Sequence, residues 1–378
     1  MKRISISPRP DWQKRVEALG LVYHTIDDVP YWDESVCYKF SSAEVDVLEA
    51  ATEELQRLCL ETGQFILDND RFDDLCIPAA ARQAIRDAWE LEPPSIYGRF
   101  DLAYDGSGPP KLLEYNANTP TGLLEASVVQ WDWRQEVFPA SDQFNSIHEK
   151  LIDKWNELRR YFRSDTLYFV CMPNDEDLMT VTYLQDTAQQ ARIRTKHLFV
   201  RDIGWSKSDG TFRDLDERVM KSIFALYPWE WLLADSAEKI LAVCNGMDWI
   251  EPIWKMLWSN KALLAILWER FPEHPNLLPA YLDGPRAMRD FVRKPLLSRE
   301  GANITVQCGN RQISTDGPYG DGSFVYQALA PGWDPDVNTP VLGSWYITDR
   351  GPAGIGIREA QGITDNFSRF VPHYFEQF

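Results

Sequence analysis

The segment Ser95–Ala126, SIYGRFDLAYDGSGPPKLLEYNANTPTGLLEA, constrains this chain more than any other stretch. Two runs of strand-forming residues flank DGSGPP, whose Asp, Gly and Pro residues favour turns, so the segment folds back on itself as a β-hairpin. Side chains on a strand repeat on one face every second residue. Arg99 and Asp101 therefore share a face of the first strand, and Glu114 and Asn116 share a face of the second. Phe100, Leu102, Leu113 and Tyr115 are left for the opposite, packed face. Two carboxylates and an amide oxygen make a hard donor set of the kind that suits Mg²⁺, with Arg99 beside any anion the metal holds. The same pattern also suits a surface hairpin closed by a cross-strand ion pair.

The chain has 378 residues, more than one compact core usually holds, so two or three packed subdomains are expected. Its 39 basic and 57 acidic residues leave a net charge of −18 with no Lys/Arg cluster, which argues against a nucleic-acid partner and is compatible with cationic small substrates. The six cysteines are scattered singly with no CxxC or His/Cys ligand spacing, so neither zinc nor a disulfide framework is indicated. MKRISISPRPDW lacks the apolar region of a leader, and no apolar run approaches membrane-spanning length. A cytoplasmic protein with no membrane partner is expected.

Ser41 and Glu44 have capping-box spacing for a helix to about Leu67, with Val45, Leu48, Leu55, Leu58 and Phe65 on its buried face. A second helix is expected over about Ser141–Phe162, with Phe144, Ile147, Leu151, Trp155 and Leu158 in one stripe. LYFVCM, VTYLQDTAQQA and KHLFVRDI read as a βαβ unit, and MKSIFALYPWEWLL as a strand and loop. SNKALLAILWERF is a helix that Ser259 or Asn260 caps. DFVRKPLL, ANITVQC, SFVYQAL, VLGSWYIT and GIGIRE then read as an antiparallel sheet joined by Gly/Pro turns.

Two lysines in this last third call for anionic partners. Lys261 sits at a helix start, where free backbone N–H groups favour anions. Lys294 lies on an apolar strand, where a lone ammonium is costly. The SREGAN loop that follows carries Gly301, which allows backbone amides to approach phosphate oxygens, and Arg358 adds a cation at a strand end in a glycine-rich setting. No GxxxxGK[ST], GxGxxG or GxSxG motif occurs, and the five histidines lack HExxH spacing and are read as structural. Acids suited to Mg²⁺, an adjacent arginine, two lysines and a covering loop fit an ATP site formed between two subdomains.

At this point the chain resembles a known family. RFDLAYDG…KLLEYNANTP, SNKALLAILWERFP, VRKPLLSREGANI, YQAL and GIGIRE occur in this order in the synthetase domain of glutathionylspermidine synthases. The likeness runs from about Pro10 to the C terminus and is nearest the short bacterial acid–amine ligase branch that lacks the amidase domain. It implies an α/β (α+β) fold, an ATP-grasp with permuted order in which the metal-binding strands precede the lysines, plus a βαβ subdomain on the substrate side. Residues 1–378 would form one module: helices and metal-binding hairpin in 1–140, the substrate-side part in 141–245, and the lysines and lid in 246–378.

The resemblance also implies roles. Asp101, Glu114 and Asn116 match Mg²⁺ ligands, and Arg99 matches the arginine at the transferred phosphoryl group. Lys261 and Lys294 match ATP-binding lysines, and Arg299, Glu300 and Gly301 the loop over the phosphates. Gln327, Ala328 and Leu329 fall at the adenine, while Leu342, Arg358, Gly362, Ile363 and Thr364 fall at further nucleotide contacts. The implied partners of ATP and Mg²⁺ are a small carboxylic acid and an amine, with a peptide and a polyamine among the candidates. Glu176 and Asp177 match acidic residues on the acceptor side. Asn118, Thr119, Leu226 and Glu300 depart from the full-length synthases, so ligation is better supported than glutathione and spermidine as substrates. Glutathionylspermidine synthase itself, or an ATP-binding regulatory protein that no longer ligates, are the alternatives.

Overall fold

The structure, a computed structural model, describes residues 1–244, 246–365 and 368–376. The hairpin is present as strands Tyr97–Ala103 and Lys111–Asn116, with Arg99 opposite Asn116 and Asp101 opposite Glu114. A bulge follows Asp101, so Leu102 pairs with Leu112 and Leu113 is passed over. The extra residue switches faces: Leu112 is fully buried, whereas Leu113, expected on the packed side, lines the cleft. Phe100 and Tyr115 remain on the core face, their rings stacked 3.9 Å apart.

The hairpin does not stand alone. Its first strand pairs antiparallel with Asn338–Ile347, giving a five-stranded sheet in the order 369–371, 351–361, 338–347, 97–103, 111–116. Gly343 lies opposite Asp101, and a Cβ there would come within 2.7 Å of Arg99 Cδ, so only glycine lets the arginine lie across the strand. The single antiparallel sheet expected in the last third is thus divided. Phe291–Pro295, Thr305–Cys308, Arg311–Ser314 and Phe324–Ala328 form a second five-stranded sheet with the short strand Ala280–Tyr281.

Helix Ser42–Asp68 begins with the Ser41/Glu44 capping box and buries Val45, Leu48, Leu55 and Leu58, with Phe65 partly covered. It lies on the hairpin sheet, where the Thr52 and Ser344 hydroxyls meet at 2.6 Å. The expected second helix spans only Ile147–Leu158, because Asp142 and Asn145 bridge to Phe375 and Gly354 instead. The βαβ unit is Thr166–Cys171, Asp175–Gln190 and Arg194–Phe199, and its parallel sheet continues through Ser222–Leu226 and Asp248–Ile250. The loop expected around PWEWLL is instead the start of helix Trp229–Val243, with Pro228 preset at its N-cap. Among the described residues no helix is long and apolar enough to cross a membrane.

One buried ion pair ties the parallel sheet to the hairpin. Glu251 accepts hydrogen bonds from Ser95 Oγ (2.7 Å) and from the backbone N–H groups of Ile96 (2.8 Å) and Tyr97 (3.1 Å). Lys255 Nζ lies 2.5 Å from the Glu251 carboxylate and donates to the Tyr97 carbonyl. Removing one partner strands the other charge in the core. Glu251→Gln should lower the unfolding free energy in a urea titration by about 3–5 kcal/mol, and a second change, Lys255→Met, should recover much of that loss. A loss below about 1 kcal/mol would contradict this clamp.

Candidate functional site

A cleft of about 910 Å³ runs between the two five-stranded sheets and the parallel-sheet subdomain, and both hairpin strands open onto it. At its floor Arg99 grips Asp101 through two hydrogen bonds, Nε to Oδ1 at 2.6 Å and Nη2 to Oδ2 at 2.9 Å. Its third group, Nη1, donates to the Thr121 carbonyl at 2.6 Å. Asn116 Nδ2 donates to both Asp101 and Glu114, each at 3.0 Å. The amide nitrogen is thereby spent on the acids, and its oxygen remains for a cation. Among the described residues no cluster of three or more His, Cys, Asp and Glu side chains could hold a metal. Two carboxylates with an amide oxygen are nonetheless a donor set that fits Mg²⁺, which keeps waters and phosphate oxygens in its shell.

The late lysines reach the same floor. Lys261 Nζ lies 3.2 Å from Glu114 Oε2 and donates to the Ser298 carbonyl at 2.6 Å. Its helix, Ala262–Arg270, has Lys261 itself at the N-cap rather than the expected Ser259 or Asn260, and Asn260 Oδ1 accepts the Ala262 N–H at 2.9 Å from one residue further back. Lys294 Nζ donates to Leu113 O (2.9 Å) and to Gln327 Oε1 (2.8 Å), while Gln327 Nε2 donates to Leu112 O (2.9 Å). The bulge that displaces Leu113 therefore also supplies the carbonyl that seats Lys294. Burial pushes Glu114 up, but Lys261 and Lys294 together with the Asn116 hydrogen bond hold it at about 2. Asp101 is raised by burial against the pull of Arg99. Burial lowers Lys294 to about 8, with Glu114 opposing.

The loop after Lys294 folds over the cleft. Glu300 and Gly301 have left-handed backbones, and a Cβ on Gly301 would meet the Thr364 carbonyl oxygen at 2.5 Å. Only glycine permits the loop tip to close on the 362–364 segment. Arg299 donates to Thr119 Oγ1 and Glu230 Oε1, both at 2.8 Å. Gln327, Ala328 and Leu329 line the cleft, as do Gly362, Ile363 and Thr364 next to the loop tip. Arg358 also lines the cleft, within a strand rather than at its end, and its Cζ lies 5.9 Å from the Tyr31 ring. Leu342 is not on the wall. Strand alternation turns it into the core, fully buried, and Val341 lines the cleft instead.

Further polar groups line or flank the cleft, and Glu125 among them carried no sequence signal. Asn118 is 2% exposed with neither amide atom hydrogen-bonded to protein. Glu125 is buried, its Oε1 accepting the Tyr23 and Tyr31 hydroxyls at 3.2 and 2.7 Å. Glu176 and Asp177 line the cleft, and burial raises Asp177 to about 6 against its Asn174 hydrogen bond.

The profile of the glutathionylspermidine synthase preATP-grasp family matches residues 3–376. The chain belongs to this family. It is similar, at 38% identity over 99% of its length and the whole of the relative, to a Haemophilus influenzae protein provisionally named an acid–amine ligase. It is 27% identical over 80% of its length to trypanothione synthetase of Crithidia fasciculata, of which it covers 50%. It is 24% identical over 76% of its length to the bifunctional glutathionylspermidine synthetase/amidase of Escherichia coli, of which it covers 51%. The chain thus spans about half the length of these two synthetases.

The lowered Lys294 sets a sign for pH dependence. As pH rises through about 8 the ammonium loses its proton and its charge. Affinity for tripolyphosphate, titrated calorimetrically, should therefore fall between about pH 7 and about pH 9. Equal affinity at both would show that Lys294 does not meet the anion.

Proposed function

We propose that the protein is an ATP- and Mg²⁺-dependent ligase that joins a carboxylic acid to an amine through an acyl phosphate. The observation that carries this reading is the convergence of Asp101, Glu114 and Asn116 with Lys261 and Lys294 in one cleft. Two antiparallel sheets facing one another across that cleft fit the permuted ATP-grasp arrangement.

In this reading the adenine lies against Gln327, Ala328 and Leu329, and the phosphates run past Lys294 and Lys261 beneath the 299–301 loop. Asp101, Glu114 and Asn116 would hold Mg²⁺, which neutralises phosphate charge when bound. Arg99, anchored by Asp101 and the Thr121 carbonyl, faces the phosphoryl group in transfer and stabilises its charge. The acid's carboxylate oxygen attacks the terminal phosphorus and the bond to ADP breaks. The amine nitrogen then attacks the acyl carbon, phosphate leaves with the C–O electron pair, and the nitrogen loses a proton to give the amide. Arg358 and Arg99 suit the acid's charge. Glu176 and Asp177 suit a cationic amine, with a peptide and a polyamine as the matching substrate classes.

A screen of paired acids and amines for ADP release, with mass spectrometry of the products, tests this reading. One pair should stimulate ADP and phosphate release and yield an amide of the summed mass less water. Asp101→Ala should lower the stimulated rate by about 10²–10³-fold while circular dichroism stays unchanged. Undiminished phosphate release in that variant would contradict the ligand role, and an absence of stimulation by any pair would contradict ligation.

A further inference from the structure

Arg299 joins three distant parts of the chain. One nitrogen donates to Thr119, just beyond the metal-binding hairpin, and another to Glu230, in the first turn of helix Trp229–Val243. Its guanidinium carbon also lies 5.4 Å from the Trp231 ring. The arginine lines the main cleft, whereas Glu230 lines a second, largely apolar cavity of about 310 Å³ behind it. That cavity is walled by Leu233, Leu241 and Met256 and shares Ser259, Asn260 and Leu297 with the cleft.

We infer that Glu230 is a positioning residue: it acts from behind Arg299, orienting the guanidinium towards the cleft for the phosphates of the nucleotide. The inference rests on the nucleotide-binding reading above. Three observations separate this pair from an ordinary surface ion pair of small effect. The side chains are only 27% and 16% exposed, so solvent screens them weakly. The cavity behind Glu230 is largely apolar, and the Glu230 carboxylate turns to Arg299 at 2.8 Å. Arg299 Nε is buried and without a protein hydrogen bond, the unpartnered nitrogen of a guanidinium whose other two nitrogens are each held. A planar fork held at two points presents its remaining N–H groups in fixed directions, which a free arginine on a loop does not. Glu230 also couples the loop to the substrate-side helix, so the subdomain that would hold the second substrate helps set the group over the phosphates.

The test is calorimetric binding of magnesium adenylyl imidodiphosphate, which needs neither acid nor amine. Glu230→Gln keeps the volume and removes the charge. It should weaken binding about tenfold, the scale on which outer partners tune the groups they orient, with the melting temperature unchanged. Glu230→Asp should restore most of the affinity. Because Glu230 acts only through Arg299, Arg299→Ala and the double variant with Glu230→Gln should bind equally weakly. Unchanged or tighter binding by Glu230→Gln would overturn the inference, as would a further loss on adding it to Arg299→Ala. A wild-type protein that does not bind the analogue overturns the nucleotide reading itself, and this inference with it.

Discussion

The contact between Glu114 and the two late lysines is the interaction on which the remainder depends. A carboxylate and two ammonium groups share the floor of the cleft, Lys261 at 3.2 Å from Glu114 and Lys294 close enough to hold it down. Glu114 offsets both ammonium groups, and Lys294, the buried one, would cost several kcal/mol without it. These charges come from opposite ends of the chain, and their pairing joins the hairpin sheet to the second sheet. Asp101 and Arg99 repeat the logic one residue pair away, with two hydrogen bonds and matched charge.

The same floor gives up stability locally. Asn118, Arg299 and Arg358 each carry a buried polar atom with no protein partner, and all three line the cleft. Buried donors and acceptors are almost always satisfied inside proteins, because leaving one unmade costs about 1–3 kcal/mol. In the cleft these three groups stand open to a polar or charged ligand, although other unpartnered buried atoms, such as those of Thr62 and Trp133, lie away from it. The Glu251–Lys255 clamp lies behind this surface and fixes where its first strand begins.

Much of this was readable from local signals. The Ser41/Glu44 capping box, the turn residues of DGSGPP and the period-two pattern around Arg99 and Asp101 act between near neighbours, and each has its expected form. What was not readable is long-range. Nothing in VLGSWYIT says that it pairs with GRFDLA rather than with SFVYQAL, because an apolar strand accepts many partners; only the packing of Gly343 under Arg99 distinguishes them. A one-residue bulge after Asp101 reversed the expected roles of Leu112 and Leu113, and the alternation that turns Leu342 inward placed it off the wall. Arg299, Glu300 and Gly301 stood out as a loop, but the Glu230 partner of Arg299 belongs to a segment that reads locally as a loop after a strand. Residues that act through other residues leave no pattern in spacing.

The central claim is that early acids and late cations close around one metal-bound polyphosphate. A crystal structure with Mn²⁺ and a non-hydrolysable ATP analogue tests it most directly, because the metal's anomalous signal locates it independently of the chain. The account predicts one peak bonded to Asp101, Glu114 and the Asn116 oxygen, with analogue phosphates between it and Lys261 and Lys294. A metal and nucleotide seated away from those side chains would contradict it.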